Sequence, residues 1–368
     1  MASISWPQVL AWRLRRHLLD PIGAESVEDV VRRLGAVQAS VAEHAELAVR
    51  LRRRHSEPGE VTVALAEGRL IKAWIMRGSM HLLTPEDGGA YLALMAANRQ
   101  WELPSWQSFY RLSPADWEPL RAAVREALAD GPLSALELGA RVTTRPKFAH
   151  LDFAFAEHAS TILKPLFWQG VMSFGPTRDR HHTFQLLDGN PRWAGVPEPE
   201  DAGSRVVETY LRTYGPATID HVRYWTGAGQ RKAATWLASL RDRLATVDLD
   251  GEPRHLLRED LPDLASTSET HTVRLLPGND QWVMGPGTTE SGIIPPKQRS
   301  LISRQTPFVI MGGVVSGTWA VKEDRVVVVP FAEAQPLPRG VLAEEVARLA
   351  TILRRPLGLT VRGAHGPT

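Results

Sequence analysis

Cysteine is absent from all 368 residues, which removes disulfides, thiolate nucleophiles and thiolate metal ligands together. A reducing cytoplasm suits such a chain. No stretch approaches the roughly 18 uninterrupted apolar residues of a membrane helix. The N-terminus lacks the basic, apolar, small-residue order of a secretory signal. A cytoplasmic protein without a membrane partner is therefore expected. Net charge is scarce too: 43 Lys plus Arg against 41 Asp plus Glu leave +2, so any affinity for nucleic acid has to come from local basic stripes. There is no phosphate-cradling Gly loop and no His-x-Glu deaminase signature, and His181-His182 has no third ligand at useful spacing. Neither a cofactor nor a metal is expected.

What is present is a two- or three-domain length of sequence with 43% apolar residues. Residues 6–20 carry Val9, Leu10, Leu14 and Leu18 near helical spacing and stop at Pro21-Ile22-Gly23. A second helix begins after Ser26, an N-cap with Glu28 and Asp29 in the first turn, and ends at Gly35. Helical spacing resumes from Val37 to Arg54 and ends in a basic run. A short helix from Val61 then leads to a strand from Leu70 to Leu83 around Gly78-Ser79, the order of a winged helix.

A faint internal repeat organises the middle of the chain. Asp130-Gly131-Pro132-Leu133-Ser134 resembles Tyr214-Gly215-Pro216-Ala217-Thr218, each ending in a helix cap. Each is preceded by an amphipathic helix (Trp117 to Leu128; Ser204 to Leu211) and followed by an apolar one (Glu157 to Phe167; Arg231 to Leu240). Each unit closes on a hairpin, Val171 to Leu187 and Leu244 to Leu257, the latter turning at Asp250-Gly251. Helix, capped helix, recognition helix and wing, repeated, imply tandem winged helices. A Pro/Gly-rich linker from Pro191 to Gly203 separates them, and a β-rich region with a closing helix, Gly340 to Leu353, follows. The final residues are expected to fray, and the loop Gly285 to Pro296 to be flexible or to probe a groove. The expected division is residues 1–112, 113–195 and 204–260 for three winged helices and 271–368 for the β-rich C-terminal region.

Three motifs then carry a resemblance: Leu34-Gly35-Ala36-Val37-Gln38-Ala39; Trp74-Ile75-Met76-Arg77-Gly78-Ser79-Met80-His81-Leu82; and Val273 to Trp282 with Gly317-Thr318-Trp319. In this order the chain resembles the AlkZ-like winged-helix DNA glycosylases, which include YcaQ-type crosslink repair enzymes and the self-resistance enzymes of actinobacterial antibiotic producers. The resemblance implies an α+β fold of three tandem winged helices forming a C-shaped clamp, with a β-rich C-terminal part. It implies a catalytic cleft that removes bulky N7-alkylguanines from double-stranded DNA without a metal. The partner is then alkylated DNA in the nucleoid, met by a monomer. The family's motif is Gln, a small or apolar residue, then Gln or Asp; here it reads Gln38-Ala39-Ser40.

Alkylation at N7 makes guanine cationic and a good leaving group, so the enzyme has mainly to hold a water and stabilise an oxocarbenium-like sugar. Gln38 suits that task because a carboxamide both accepts and donates. Ser40 can hold the same water, and Glu43, with His44 beside it, can supply the base. The bland alternatives are that Gln38 satisfies buried backbone, Ser40 is a packing residue and Glu43 is a solvated surface group. No Lys flanks Gln38, the nearest being Lys72, so a Schiff-base lyase is not expected. Expected DNA contacts are Arg50, Arg52 and Arg53 after the motif, Lys72, Arg77 and His81 in the second motif, and Arg178, Arg180, His181 and His182 at the hairpin tip, set against the alternative of a merely solvated charge run. A second class of function stays open: a non-catalytic DNA-binding regulator or adduct sensor.

Overall fold

The structure, a computed structural model, describes residues 2–363. Its contacts divide into two compact units: Met1–Val61 with Val207–Thr368, and Thr62–Val206. Both mix helix and strand, the α+β class that the sequence implies.

In the first unit, five strands form one sheet in the order Val273–Leu276, Phe308–Met311, Val314–Lys322, Arg325–Pro330, Gly358–Val361. The first four pair antiparallel and the last is parallel to its neighbour. The β-branched run Val326-Val327-Val328 is buried and favours the extended backbone. Helix Arg339–Leu353 packs on this sheet through Leu342, Val346 and Leu349, spaced on one helical face. Its buried Glu345 accepts a hydrogen bond from the Leu275 backbone at 3.2 Å. The strand Gly358–Val361 lies where frayed residues were expected: parallel pairing to Arg325–Pro330 satisfies its backbone. Residues 364–368 of that expected frayed end lie outside the described part of the chain.

The repeat read from the sequence is present as two winged helices. In the second unit Trp117–Leu128, a helix Ala135–Val142 capped by Ser134, and the hairpin Met172–Phe174 and Thr183–Leu186 follow in order, with Leu133–Ser134 joining the sheet. The single apolar helix expected at 157–167 is instead Asp152–Glu157, Ala159–Ile162 and Lys164–Trp168. His158 at φ −125° breaks the first from the second, and Pro165, which cannot donate a backbone hydrogen bond, opens the third. The other repeat runs from helix Pro199–Tyr214 through Ile219–Thr226, capped by Thr218, and Gln230–Ser239, to the hairpin Leu244–Leu249 and Glu252–Leu257. Helix already occupies residues 199–203, so the expected linker is shorter than its Pro/Gly content suggested.

The loop 285–296 is not free. Ile293 and Ile294 enter the core of the first unit, and Glu290 is buried in an ion pair with Arg254 at 2.6 Å and in contact with His221 Nε2 at 3.1 Å. Burial alone would raise the Glu290 carboxyl, but hydrogen bonds from His221 and Arg254 outweigh it and hold the group down at about 2. Two apolar side chains and a paired carboxylate override the flexibility that Gly and Pro advertise.

Candidate active site

Helix Val27–Leu34 starts at Ser26, whose hydroxyl caps Asp29, and it stops at Gly35, where φ of +76° is readily reached only without a Cβ. The helical resumption expected from Val37 does not occur there. Val37–Gln38 is extended, Ser40 bends, and the next helix is Ala42–Arg50. Gln38 therefore sits in an irregular segment between two helices, and Glu43 lies in the first turn of the second.

This break gives Gln38 and Ser40 a local geometry that a helix would deny them. The Gln38 Nε2 donates to Ser40 Oγ at 2.9 Å, and the Ser40 backbone N–H donates to Gln38 Oε1 at 3.4 Å. Gln38 is 7% exposed, while Ser40 is exposed. The carboxamide is thus nearly buried and held by Ser40, with a second lone pair on Oε1 and the serine hydroxyl proton still available. Glu43 is exposed and has no hydrogen-bond or ion-pair partner among the described residues. His44 is half-buried and lies against Gly278; a Cβ there would come within 1.8 Å of the Gln305 carbonyl and 3.0 Å of the His44 ring, so the backbone approach requires glycine.

The motif Pro277-Gly278-Asn279-Asp280-Gln281-Trp282 anchors this segment from behind. Arg52 and Asp280, both with fully buried side chains, form a bidentate pair at 2.8 and 2.7 Å, and Arg52 also donates to the Ala48 carbonyl at 2.7 Å. Asp280 accepts from the Trp282 backbone at 2.8 Å, and Trp282 Nε1 donates to the Gly313 carbonyl at 2.8 Å. The Tyr214 hydroxyl donates to the Leu34 carbonyl at 2.8 Å, and Thr213 to Arg33 at 2.7 Å, fixing the end of the helix that leads into Gln38. His17 is buried edge-on to Tyr214 and Trp282, and burial together with Arg52 and Arg13 holds it neutral.

Arg52 is accordingly a core residue and not a phosphate contact. Its neighbours are also engaged: Arg50 is buried and donates to the Ile352 carbonyl and to Ser56, and Arg53 pairs with Glu60 and donates to the Glu25 carbonyl at 2.8 Å. Arg52 reads as surface in the sequence because its carboxylate partner is 228 residues away.

The other expected contacts lie in the second unit. The strand expected from Leu70 to Leu83 is a hairpin, Ile71–Trp74 and Met80–Leu83, turning through Met76–Gly78 with Arg77 in the left-handed region. Lys72 is half-buried over the Phe174 ring, and Arg77 is exposed. His81 is 2% exposed and its Nδ1 lies 3.1 Å from the Ser79 carbonyl; burial pushes its pKa down to about 4. It is therefore a neutral core group and no phosphate ligand. Arg178 is exposed and paired with Glu137, while Arg180, His181 and His182 are exposed at the hairpin tip.

A pH dependence follows from His81. With its folded pKa below the unfolded value of about 6.5, the unfolded state binds more protons between pH 4 and 6.5. Stability should fall as pH drops through that window, by about 3 kcal/mol for this group, and flatten below it. Urea titrations at a series of pH values, with His81→Asn lessening the slope, check it.

Residues 31–352 match the family model described as DNA glycosylase AlkZ-like. The chain belongs to the AlkZ-like DNA glycosylase family. A curated relative, the interstrand DNA cross-link repair glycosylase of Streptomyces sahachiroi, is 36% identical over 355 residues, covering 94% of this chain and 96% of its own. The solved structure of Streptomyces sahachiroi DNA glycosylase AlkZ superposes with a TM-score of 0.93 at 34% identity, covering 98% of this chain and all of that one. The chain is therefore an AlkZ-like enzyme of DNA repair, a DNA glycosylase that binds DNA.

Sequence reasoning finds in residues 273–282 an AlkZ-like signature and assigns those residues no task. Asp280 and Tyr214 are what it missed. An acidic residue directly after Gly-Asn and a Tyr directly before Gly-Pro were visible, but nothing local ties either to Leu34 or Arg52.

Proposed function

We propose that this AlkZ-like enzyme hydrolyses the N-glycosidic bond of bulky N7-alkylguanine adducts in double-stranded DNA, including interstrand crosslinks of the kind named for its Streptomyces relative. The observation that carries the reading is the Gln38–Ser40 pair, a carboxamide and a hydroxyl joined at 2.9 Å beside an unpartnered Glu43. Gln38 Oε1 accepts a hydrogen bond from the attacking water. Ser40 stands where the family motif carries a second carboxamide or a carboxylate, and it orients the amide while its own hydroxyl proton stays free to donate.

In the reaction the C1′–N9 bond breaks and its electron pair neutralises the cationic purine, which leaves as the free N7-alkylguanine. The water oxygen bonds to C1′, and its proton passes to Glu43 or to solvent. Because the leaving group carries its own activation, the protein's share is position and electrostatics. The exposed side chains of the second unit, Arg77, Arg178, Arg180, His181 and His182, supply phosphate contacts, joined by Lys72. We further infer a four-part domain division, a monomeric state, action in the nucleoid and a role in self-resistance to an alkylating antibiotic.

The test is a duplex carrying one N7–N7 guanine crosslink, incubated with the purified chain and run on a denaturing gel. Unhooking to single strands, with release of the alkylated base seen by mass spectrometry, supports the reading. Tight binding with the crosslink left intact would favour the sensor alternative.

A further inference from the structure

Beside the wing of the second unit lies a cavity of about 460 Å³, within the size range of small-ligand sites. Its wall includes Trp74, Leu136, Phe174 and Phe184, with Thr183 and His182 at the wing side. The aromatic rings form one cluster: Trp74 and Phe174 are 4.6 Å apart between centroids, and Phe174 and Phe184 are 5.6 Å apart. Leu136, at the rim, is 66% exposed, an unusual cost for a large apolar side chain on a helix that has a core to face.

Two ammonium groups attend this cluster. Lys72 Nζ lies 5.0 Å from the Phe174 ring and Lys164 Nζ lies 5.8 Å from the Trp74 ring. Neither has a carboxylate within 4 Å among the described residues. Burial lowers the pKa of both, and burial followed by the nearby Lys72 lowers that of His182. Lys164 also approaches the hairpin turn, where a Cβ on Gly78 would meet its Nζ at 3.1 Å. Elsewhere among the described residues the partly buried Arg16, Arg53 and Arg274 each pair with a carboxylate; these two are held against π-faces instead. An apolar aromatic wall next to uncompensated cations is the chemistry of a base and its phosphate.

We propose that this cavity is a nucleotide site, which takes one unstacked nucleotide of the bound DNA, its base against the Leu136–Phe174 wall and its phosphate on Lys72 and Lys164. The site is separate from the Gln38 chemistry and needs no damaged base. It gives the protein a grip on DNA whose stacking is already broken, and it assigns a task to Lys164, which sequence reasoning passed over.

The experiment measures binding of the full chain, by fluorescence anisotropy, to three duplexes that carry no alkylation: fully paired, with one unpaired adenine, and with an abasic residue at the unpaired position. The wild-type protein should prefer the unpaired adenine over both others by on the order of tenfold. Lys72→Gln and Lys164→Gln should each weaken binding of the adenine bulge and lower the slope of log affinity against log salt by about 0.9 or less. Leu136→Glu, at an exposed position that leaves the fold intact, should abolish the preference while thermal melting stays unchanged. Equal wild-type affinity for the three duplexes would overturn the proposal. So would Lys variants that weaken all three alike while Leu136→Glu keeps the preference, since the two ammonium groups would then be general phosphate contacts.

Discussion

Gln38→Ala should cut base excision by on the order of 10²–10³, the usual cost of deleting one preorganised hydrogen-bonding group at a reacting centre, while duplex binding and its salt dependence stay as in the wild type. The two readouts separate because Gln38 is 7% exposed and neutral, so it adds nothing to the phosphate term. Single-turnover excision with saturating protein isolates the chemical step from binding. Ser40→Ala should do less, on the order of tenfold, because it frees the Gln38 Nε2 to rotate without removing the acceptor. If Ser40→Ala proved as damaging as Gln38→Ala, the hydroxyl and not the carboxamide would be the group that meets the water. An enzyme unaffected by either change would place the chemistry elsewhere.

Breaking the Arg52–Asp280 pair should be the most destabilising single change near the site. Both side chains are fully buried, and each satisfies the other twice. Asp280→Ala leaves a buried guanidinium without a counter-ion and removes the cap on Trp282. A loss of about 3–5 kcal/mol is the expected scale for removing one partner of such a pair. Arg52→Met should cost a similar amount by stranding the carboxylate. The double variant Arg52→Met with Asp280→Leu should be milder than the sum, because no buried charge then stays uncompensated. Denaturant midpoints measure all three. A phosphate-binding Arg52 would behave differently: its loss would lower the salt slope of DNA binding and leave stability untouched.

The contrast between these two sites shows what sequence could reveal. Ser26, Ser134 and Thr218 cap helices as their positions advertise, because capping is decided within three residues. Asp250-Gly251 turns a hairpin for the same reason, with both residues at positive φ. The repeat was legible because each winged helix is built from such local signals in a fixed order. What failed was everything set by distant partners. Arg50 and Arg52 looked like part of a solvent-facing stripe, yet their partners include Ile352 and Asp280, 302 and 228 residues away. His81 looked like a polar group near a site and is a neutral core residue. The segment around Gln38 looked helical because Val41, Ala45 and Ala48 keep the period; Ala36, Val37 and Ala39 are buried as well, and in an extended segment such a run needs no period. That misreading mattered most, since the bend at Ser40 is what lets its hydroxyl meet the Gln38 amide.

The central claim is that this chain hydrolyses the glycosidic bond of N7-alkylguanine with Gln38 holding the water. It is tested most directly by incubating the purified protein with a duplex that carries one N7-alkylguanine and an end label, then heating in alkali to cleave the strand at any abasic site. The account predicts a cleaved product at the modified position with the wild-type protein and little or none with Gln38→Ala, although both bind the duplex. Intact strands from a wild-type protein that binds the duplex tightly, with methyl and with bulky adducts alike, would contradict it.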